Sequence, residues 1–490
     1  MKTLFIASTK HLLLALAYGV LGITITAIAS IIWLLNSRQD LSLWHTTKLT
    51  AEFNQEMQLK GFSDYLALED KLFAEVEDKV YQKTQALTHQ PLNRYVRGSL
   101  SDPKKWSKDW NRSFEWKNPR AEYGLLLLHG MSDSPYSMSH LASHFRSSAY
   151  VLGLRLPGHG TLPSELINLQ WQDMAQAVAI ATQYMRQQLQ GKPLYVMAFS
   201  TGAALALNHE LEALKQDKPL SYDGLVFISP AIGLSPVAAG AKWQSHLGQL
   251  LGLEKLSWNA IQTEYDPFKY NSFAVNAGDV VYQLAARNQQ LLDQLTVEQV
   301  SQLADILTFQ SLADNTVSTP SVLTGLYQRL PRSDQQLVLF DLNRVDVNMS
   351  LVVHDPMDAI KPLLLPALLQ YDLTLVQNQH DQGQSLRSIE AVHFHSDDKP
   401  RHEPLNLMWP AEVYSLSHVA LPFPESDSLY GPKKNSAQRH HRINIGSSAT
   451  RGERGVLGVP AADVLRQKWN PFYPYMLTRM EQFIADRQAK

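Results

Sequence analysis

Four short apolar runs, each running into a turn and separated from the next by helix-length sequence, constrain the fold of this chain more than any other feature. Leu125-Leu126-Leu127-Leu128 leads into His129-Gly130-Met131-Ser132-Asp133-Ser134-Pro135, and Tyr150 to Leu156 closes in Pro157-Gly158-His159-Gly160. Leu194 to Phe199 and Gly224 to Ser229 follow. Unbroken apolar runs suit strands buried on both faces, and parallel neighbours need a helix-length crossover between them. The pattern predicts an α/β fold, a mostly parallel sheet flanked by helices. After a gap the sheet resumes at Ile306 to Gln310 and Gln336 to Phe340, with a further run at Asp372 to Val376.

The third run is the sharpest of these. From Pro193 to Leu207 a strand pattern passes into Gly202-Ala203-Ala204-Leu205, small and apolar like the start of a packed helix, with Ser200 between them. A serine at the apex of a strand-to-helix turn presents its hydroxyl, and the helix N-terminus favours negative charge developing beside it. Only small neighbours allow such a turn. The usual pattern is G-x-S-x-G; here Ala198 takes the first glycine position, so the match is A-x-S-x-G. An ordinary strand-to-helix connection has the same texture, so the partners of Ser200 must decide.

A net charge of −2 leaves no basic footprint for nucleic acid, and the absence of cysteine excludes disulfides, thiolate metal sites and cysteine nucleophiles. Leu12 to Leu35 carries no formal charge over 24 residues, enough as a helix to span the roughly 30 Å hydrocarbon core of a bilayer. Ile31-Ile32-Trp33-Leu34-Leu35 continues the apolar run past Ala27-Ile28-Ala29, which resembles a signal-peptide cleavage site, so an uncleaved transmembrane helix is expected. Lys2 and Lys10 precede the span while Arg38 and Lys48 follow it, so the basic residues barely choose an orientation; the early lysines tilt it toward N-terminus inside.

The expected organisation is an anchor at 1–38, a helical arm and irregular connection at 39–120, a first part of the core at 121–230, a helical cap at 231–304, and a second part at 305–490. From Leu49 to Gln85 polar and apolar residues recur at helical spacing, with Phe62, Tyr65, Leu72, Val76 and Val80 in the stripe, as in a spacer packed on the body. In the cap, strand patterns stop and Ala241 to Leu253 and Phe273 to Leu295 look helical. Ser396 to Glu403 and Pro422 to Thr450 read as loops, and an amphipathic helix closes the chain near Tyr475 to Ala485.

A serine hydroxyl is a poor nucleophile at neutral pH and needs a histidine to take its proton and a carboxylate to orient that histidine. Asp314 lies just past a strand, where its side chain would project from the sheet's carboxyl edge beside Ser200. It could equally be a turn aspartate capping the next helix. If the base follows the acid, His354, His380, His393, His395, His402, His418, His440 and His441 all qualify by position. His393-x-His395 with Asp397 and Asp398 reads as an exposed polar edge rather than a metal site, and no metal or cofactor is expected.

These phrases together resemble the alpha/beta-hydrolase superfamily, on its monoacylglycerol-lipase-like and serine-aminopeptidase-like branch, and more closely a group of membrane-anchored bacterial hydrolases. The resemblance runs from about Gly61 to Phe483 and includes His129-Gly130 with Asp133-Ser134-Pro135, Leu156-Pro157-Gly158-His159-Gly160, Glu264-Tyr265-Asp266-Pro267 with Lys269-Tyr270-Asn271-Ser272-Phe273, and Ser415-Leu416-Ser417-His418. It implies an alpha/beta-hydrolase fold with Ser200 as nucleophile, Asp314 as acid and His418 as base, the last after a long insertion. In such a site the backbone N–H groups of Thr201 and Met131 supply the oxyanion hole. Asp133 then braces the oxyanion loop, and His159 is structural.

The expected function is a membrane-tethered serine hydrolase cleaving carboxylic esters, lipid or acylglycerol esters among them, through an acyl-enzyme. An amide or peptide hydrolase and a non-catalytic scaffold on the same fold are the alternatives. With the N-terminus inside, the body is expected on the periplasmic side of a bacterial inner membrane.

Overall fold

The computed structural model describes residues 2–87, 89–233, 253–314, 316–331, 334–364, 369–379, 387–395, 399–410, 413–432, 442–446 and 468–489. Its centre is a ten-stranded sheet in the order β1-β3-β2-β4-β5-β8-β9-β10-β11-β12. The expected runs form β2 (Tyr123–Leu128), β3 (Ala149–Leu154), β4 (Leu194–Phe199), β5 (Gly224–Ile228), β8 (Ile306–Ser311), β9 (Gln336–Phe340) and β10 (Asp372–Asn378). All seven run parallel. Three antiparallel strands extend the two edges: β1 (Phe114–Trp116) on β3, and β11 (Ser388–Phe394) and then β12 (Arg401–Met408) beyond β10.

Successive strand residues point to opposite faces, and here both faces are covered. Leu126, Leu128, Val196 and Ala198 pack on one side against Met174, Val178 and Ala181 of α6 (Trp171–Leu189) and Leu207 and Leu211 of α7 (Thr201–Lys215). Leu125, Leu127, Met197 and Phe199 face the other way, against Leu141 and Phe145 of α5 (Ser139–Phe145) and Met476, Met480 and Phe483 of α9 (Tyr473–Gln488). The result is a three-layer α/β fold whose strand ends carry the loops. Between β5 and β8 the described part of the expected cap combines helix α8 (Val275–Gln294) with a small antiparallel pair, β6 (Trp258–Ala260) and β7 (Phe273–Ala274). The helix expected at 241–253 lies almost wholly outside the described residues.

Helix α1 (Lys2–Asn36) precedes the body, with Leu16, Tyr18, Ile23 and Trp33 among its exposed side chains. Some of its side chains fall outside the described set, and among the described residues no helix is long and apolar enough to cross a membrane. The stretch expected to cross a membrane, 12–35, is helical throughout, within α1.

The arm departs from expectation in its first part. After the single turn α2 (Leu43–Thr46), residues 49–61 are not helical, and the stripe becomes α3 (Phe62–Val76), a π-helical turn and α4 (Gln82–Thr84). Carboxylates elsewhere hold that segment's backbone instead: Leu49 N–H donates to Glu165, Thr50 N–H to Glu75 and Gln55 N–H to Asp173. Arg155, at the end of β3 and 1% exposed, fastens the arm to the sheet. It pairs with Glu52 at 3.0 Å and Glu69 at 3.2 Å and donates to the His159 carbonyl at 3.0 Å.

Glu165 gives this docking a pH dependence. Burial, and next the charge of Glu52, push its carboxyl up to about 8 against the opposing Leu49 N–H and Arg155. Between about pH 4.3 and that value the folded chain holds a proton that the unfolded chain releases, so stability falls as pH rises through the window. Glu165→Gln keeps the acceptor and removes the titration. The variant should melt above the parent at pH 8 and close to it at pH 5; a pH-independent gap in melting temperature would refute the assignment.

Candidate active site

Ser200 joins β4 to α7 with φ 54° and ψ −115°, a conformation that a non-glycine residue keeps only when its surroundings over-determine it. Backbone hydrogen bonds do so here. Ser200 N–H donates to the Ile228 carbonyl at 2.9 Å, and the Ser200 carbonyl accepts from Ala203 at 3.1 Å and Ala231 at 3.2 Å. Gly202 is required by space: a Cβ there would stand 2.6 Å from the Leu128 carbonyl oxygen and 2.7 Å from that of His129. Ala198 carries its methyl group into the core beside α7, so the turn forms without the first glycine.

Asp314 follows β8, and its side chain is fully buried. Oδ1 accepts the N–H groups of Thr316 at 2.8 Å and Val317 at 3.0 Å, while Oδ2 meets His418 Nδ1 at 2.8 Å and Gln310 Nε2 at 3.3 Å. Burial acts to raise this carboxyl, but the charge and hydrogen bond of His418, with the two backbone donors, outweigh it and hold Asp314 below the usual carboxylate range. His418 opens a 3-10 turn (His418–Ala420) and is 7% exposed, its ring centroid 5.0 Å from that of Phe199. The hydroxyl of Ser311, the last residue of β8, donates to the Leu416 carbonyl at 2.8 Å and draws the histidine loop over the acid. His354 lies elsewhere in kind: it is exposed, just before the short helix Pro356–Ile360 that Asp355 caps.

Ser200, Thr201, Met131 and His418 line one cavity of about 440 Å³, with Phe199, Phe273, Val281 and Val317 as apolar walls and Lys269 and Asn271 as polar ones. The loops at its rim are locked to one another. His129 donates from Nδ1 to the Gly130 carbonyl at 2.8 Å and accepts the Leu156 N–H at Nε2 at 3.0 Å; burial holds it neutral, well below the usual imidazole range. His159 is likewise buried, its imidazole lowered to about 4 by burial, with Nδ1 on the Pro157 carbonyl. Asp133 forms an ion pair with Lys269 at 2.7 Å.

Residues 264–273 had a sequence signal but no assigned role. Tyr270 N–H donates to the Ser132 carbonyl at 2.9 Å, and its hydroxyl accepts the Thr161 N–H at 2.8 Å and donates to the Gly158 carbonyl at 3.2 Å. With Lys269 on Asp133, this segment clamps both rim loops. His393 and His395 are each paired with a carboxylate, Glu403 at 3.0 Å and Asp372 at 2.6 Å. Asp397, Asp398, His380, His440 and His441 lie outside the described residues, and among the described residues no group of side chains could hold a metal ion.

Residues 125–374, just over half of the chain, match the model of the alpha/beta hydrolase family. A thermostable monoacylglycerol lipase of Bacillus sp. (strain H-257) is 30% identical over 118 residues, which are 24% of this chain and 44% of that enzyme; the match thus spans less than half of that relative. Solved structures with a similar chain trace include one of the metagenome-derived lipolytic enzymes LipS and LipT, at 20% identity and a TM-score of 0.36 over 48% of this chain and 88% of the other. Another is a soluble variant of the Saccharomyces cerevisiae monoglyceride lipase, at 14% identity and a TM-score of 0.36 over 46% and 81%.

Proposed function

Because the chain belongs to the alpha/beta hydrolase family, we propose that it is a serine hydrolase of carboxylic esters, with Ser200 as nucleophile, His418 as general base and Asp314 as the residue that orients it. The observation that carries this reading is the strained Ser200 turn opening on the same cavity as His418, whose Nδ1 is bonded to a buried Asp314 carboxylate. A bond from Nδ1–H to that carboxylate leaves Nε2 unprotonated and able to accept the serine proton.

In acylation Ser200 Oγ adds to the ester carbonyl carbon as its proton passes to His418 Nε2. The carbonyl oxygen takes the negative charge and is met by the N–H groups of Met131 and Thr201. Collapse breaks the bond to the alcohol oxygen, which leaves with the proton from His418. Water, deprotonated by His418 in its turn, then adds to the acyl carbon and frees Ser200 and the acid. No cofactor enters these steps.

The apolar cavity walls and the similarity to monoacylglycerol lipases support a lipid or acylglycerol ester as the substrate class. The uncharged stretch at 12–35, continuous in α1, supports a membrane tether. Lys2 and Lys10 before it favour the N-terminus inside, which places the body on the periplasmic side of a bacterial inner membrane. One experiment tests both halves. A fluorophosphonate probe applied to fractionated cells should label the full-length protein in the membrane pellet, and Ser200→Ala should abolish the label. Folded protein that takes no label would favour the scaffold alternative, and a labelled soluble protein would remove the tether.

A further inference from the structure

The chain leaving α1 is gripped by the strand pair that borders the cavity. Arg38 donates from Nη1 to the Lys255 carbonyl at 2.9 Å and from Nη2 to the Trp258 carbonyl at 2.6 Å. Lys255 answers with its ammonium on the carbonyls of Leu35 at 3.3 Å and Arg38 at 3.2 Å and on Asp40 at 2.7 Å. A few residues on, His45 is 1% exposed. Its Nδ1 accepts the Ser42 N–H at 2.8 Å, so the ring proton is on Nε2, which donates to Ser272 Oγ at 2.9 Å. Burial keeps the imidazole neutral, as this pairing requires. The ring also stands edge-on to Trp258 at 5.0 Å.

Ser272 lies between Asn271 and Phe273, and both of these line the cavity. Its own N–H is fixed to Glu264 at 2.8 Å. The exit of α1 therefore holds β6 through Trp258 and the entry to β7 through Ser272.

We propose that residues 38–45 are a positioning element of the substrate cavity, which through Ser272 sets the wall formed by Asn271 and Phe273 and so the acyl chains that the cavity accepts. This rests on the reading of the cavity as an acyl site. Removing the imidazole takes one hydrogen bond from the Ser272 hydroxyl, which keeps the Gln262 N–H at 3.0 Å and the Gln262 carbonyl at 3.1 Å, leaves the Ser42 N–H without its side-chain acceptor, and opens a hole beside Trp258, so the strand pair can shift. Ser200 and Asp314 follow β4 and β8, and His418 lies in a loop tied to β8 through Ser311, so all three stay in place.

The test uses the full-length protein in nonionic detergent, with p-nitrophenyl butanoate, p-nitrophenyl dodecanoate and anthroyloxy-labelled palmitate, the last on a Ser200→Ala background. His45→Ala should leave kcat for butanoate within roughly twofold, raise KM for dodecanoate roughly tenfold and weaken palmitate binding by a similar factor. His45→Gln, which restores an N–H donor toward Ser272, should recover most of both. Equal losses on the two esters, or unchanged dodecanoate KM and palmitate affinity, would overturn the proposal. If the parent hydrolyses neither ester, the hydrolase reading fails while palmitate affinity still decides the positioning role. A Ser200→Ala protein with His45 intact that binds no palmitate overturns the positioning role, whatever the ester results. Should His45→Ala not fold, Ser272→Ala and Arg38→Gln carry the same comparison.

Discussion

His418→Ala should lower ester turnover by on the order of 10⁴ to 10⁶ while leaving the fold intact. The loss is large because in the proposed cycle His418 acts in every proton transfer, and no other histidine lines the described cavity. His129 and His159 are the nearest imidazoles by loop position, but each is pinned by its own hydrogen bonds and sits behind the rim. The fold should survive because His418 opens a short turn whose backbone is held by the Ser311 hydroxyl on Leu416. His354→Ala is the control, since it alters an exposed side chain ahead of a capped helix. Its turnover should stay within roughly threefold of the parent. Near-normal turnover in a folded His418→Ala protein, with a dead His354→Ala, would require the triad to be redrawn.

What was legible in the sequence follows burial. The seven parallel strands are mostly apolar because helices cover both faces, so each stands out as a run. The edge strands carry no such mark. β1 is three residues long, and β12 reads Arg-His-Glu-Pro-Leu-Asn-Leu-Met, mostly exposed, which made its first three residues look like the end of a loop. Proline at 404 is tolerated there because β12 has only one neighbour, β11. The arm misled for a different reason: residues 49–61 satisfy their backbone with Glu165, Glu75 and Asp173, partners too distant in sequence to be read from local spacing.

The site divides the same way. The Ser200 turn is local, and its steric demand on Gly202 is written in adjacent residues. Asp314 and His418 are 104 residues apart, so their meeting at 2.8 Å belongs to the fold of the whole second half, and only the family resemblance singled out His418 beforehand. Lys269 and Tyr270 stood in a recognised phrase without a role until Asp133, Ser132 and Thr161 were seen against them. His45 had no signal at all, being one histidine in a polar stretch whose partner Ser272 lies 227 residues away.

Asp314→Asn should reduce kcat for a short ester roughly 10⁴-fold with little change in melting temperature, because the two oxygens of Asp314 serve different partners. Oδ1 accepts two backbone N–H groups and Oδ2 faces two donors, His418 Nδ1 and Gln310 Nε2. An asparagine that keeps its oxygen on the Thr316 and Val317 amides turns its NH₂ toward His418. Nδ1 must then accept, the ring proton moves to Nε2, and Nε2 can no longer take a proton from the proposed nucleophile. The opposite flip restores the His418 bond but sets the NH₂ against two backbone donors, which are then left unsatisfied in a fully buried site. The first orientation is the cheaper one, so the variant should fold, should still bind a short ester with near-normal KM, and should lose its rate in kcat. Burst kinetics with p-nitrophenyl butanoate would check this, with acylation slowed and no rapid release of nitrophenol. An Asp314→Asn protein with more than about a tenth of parental kcat would show that His418 needs no carboxylate to hold its tautomer, and the role of Asp314 would reduce to capping the turn at Val317.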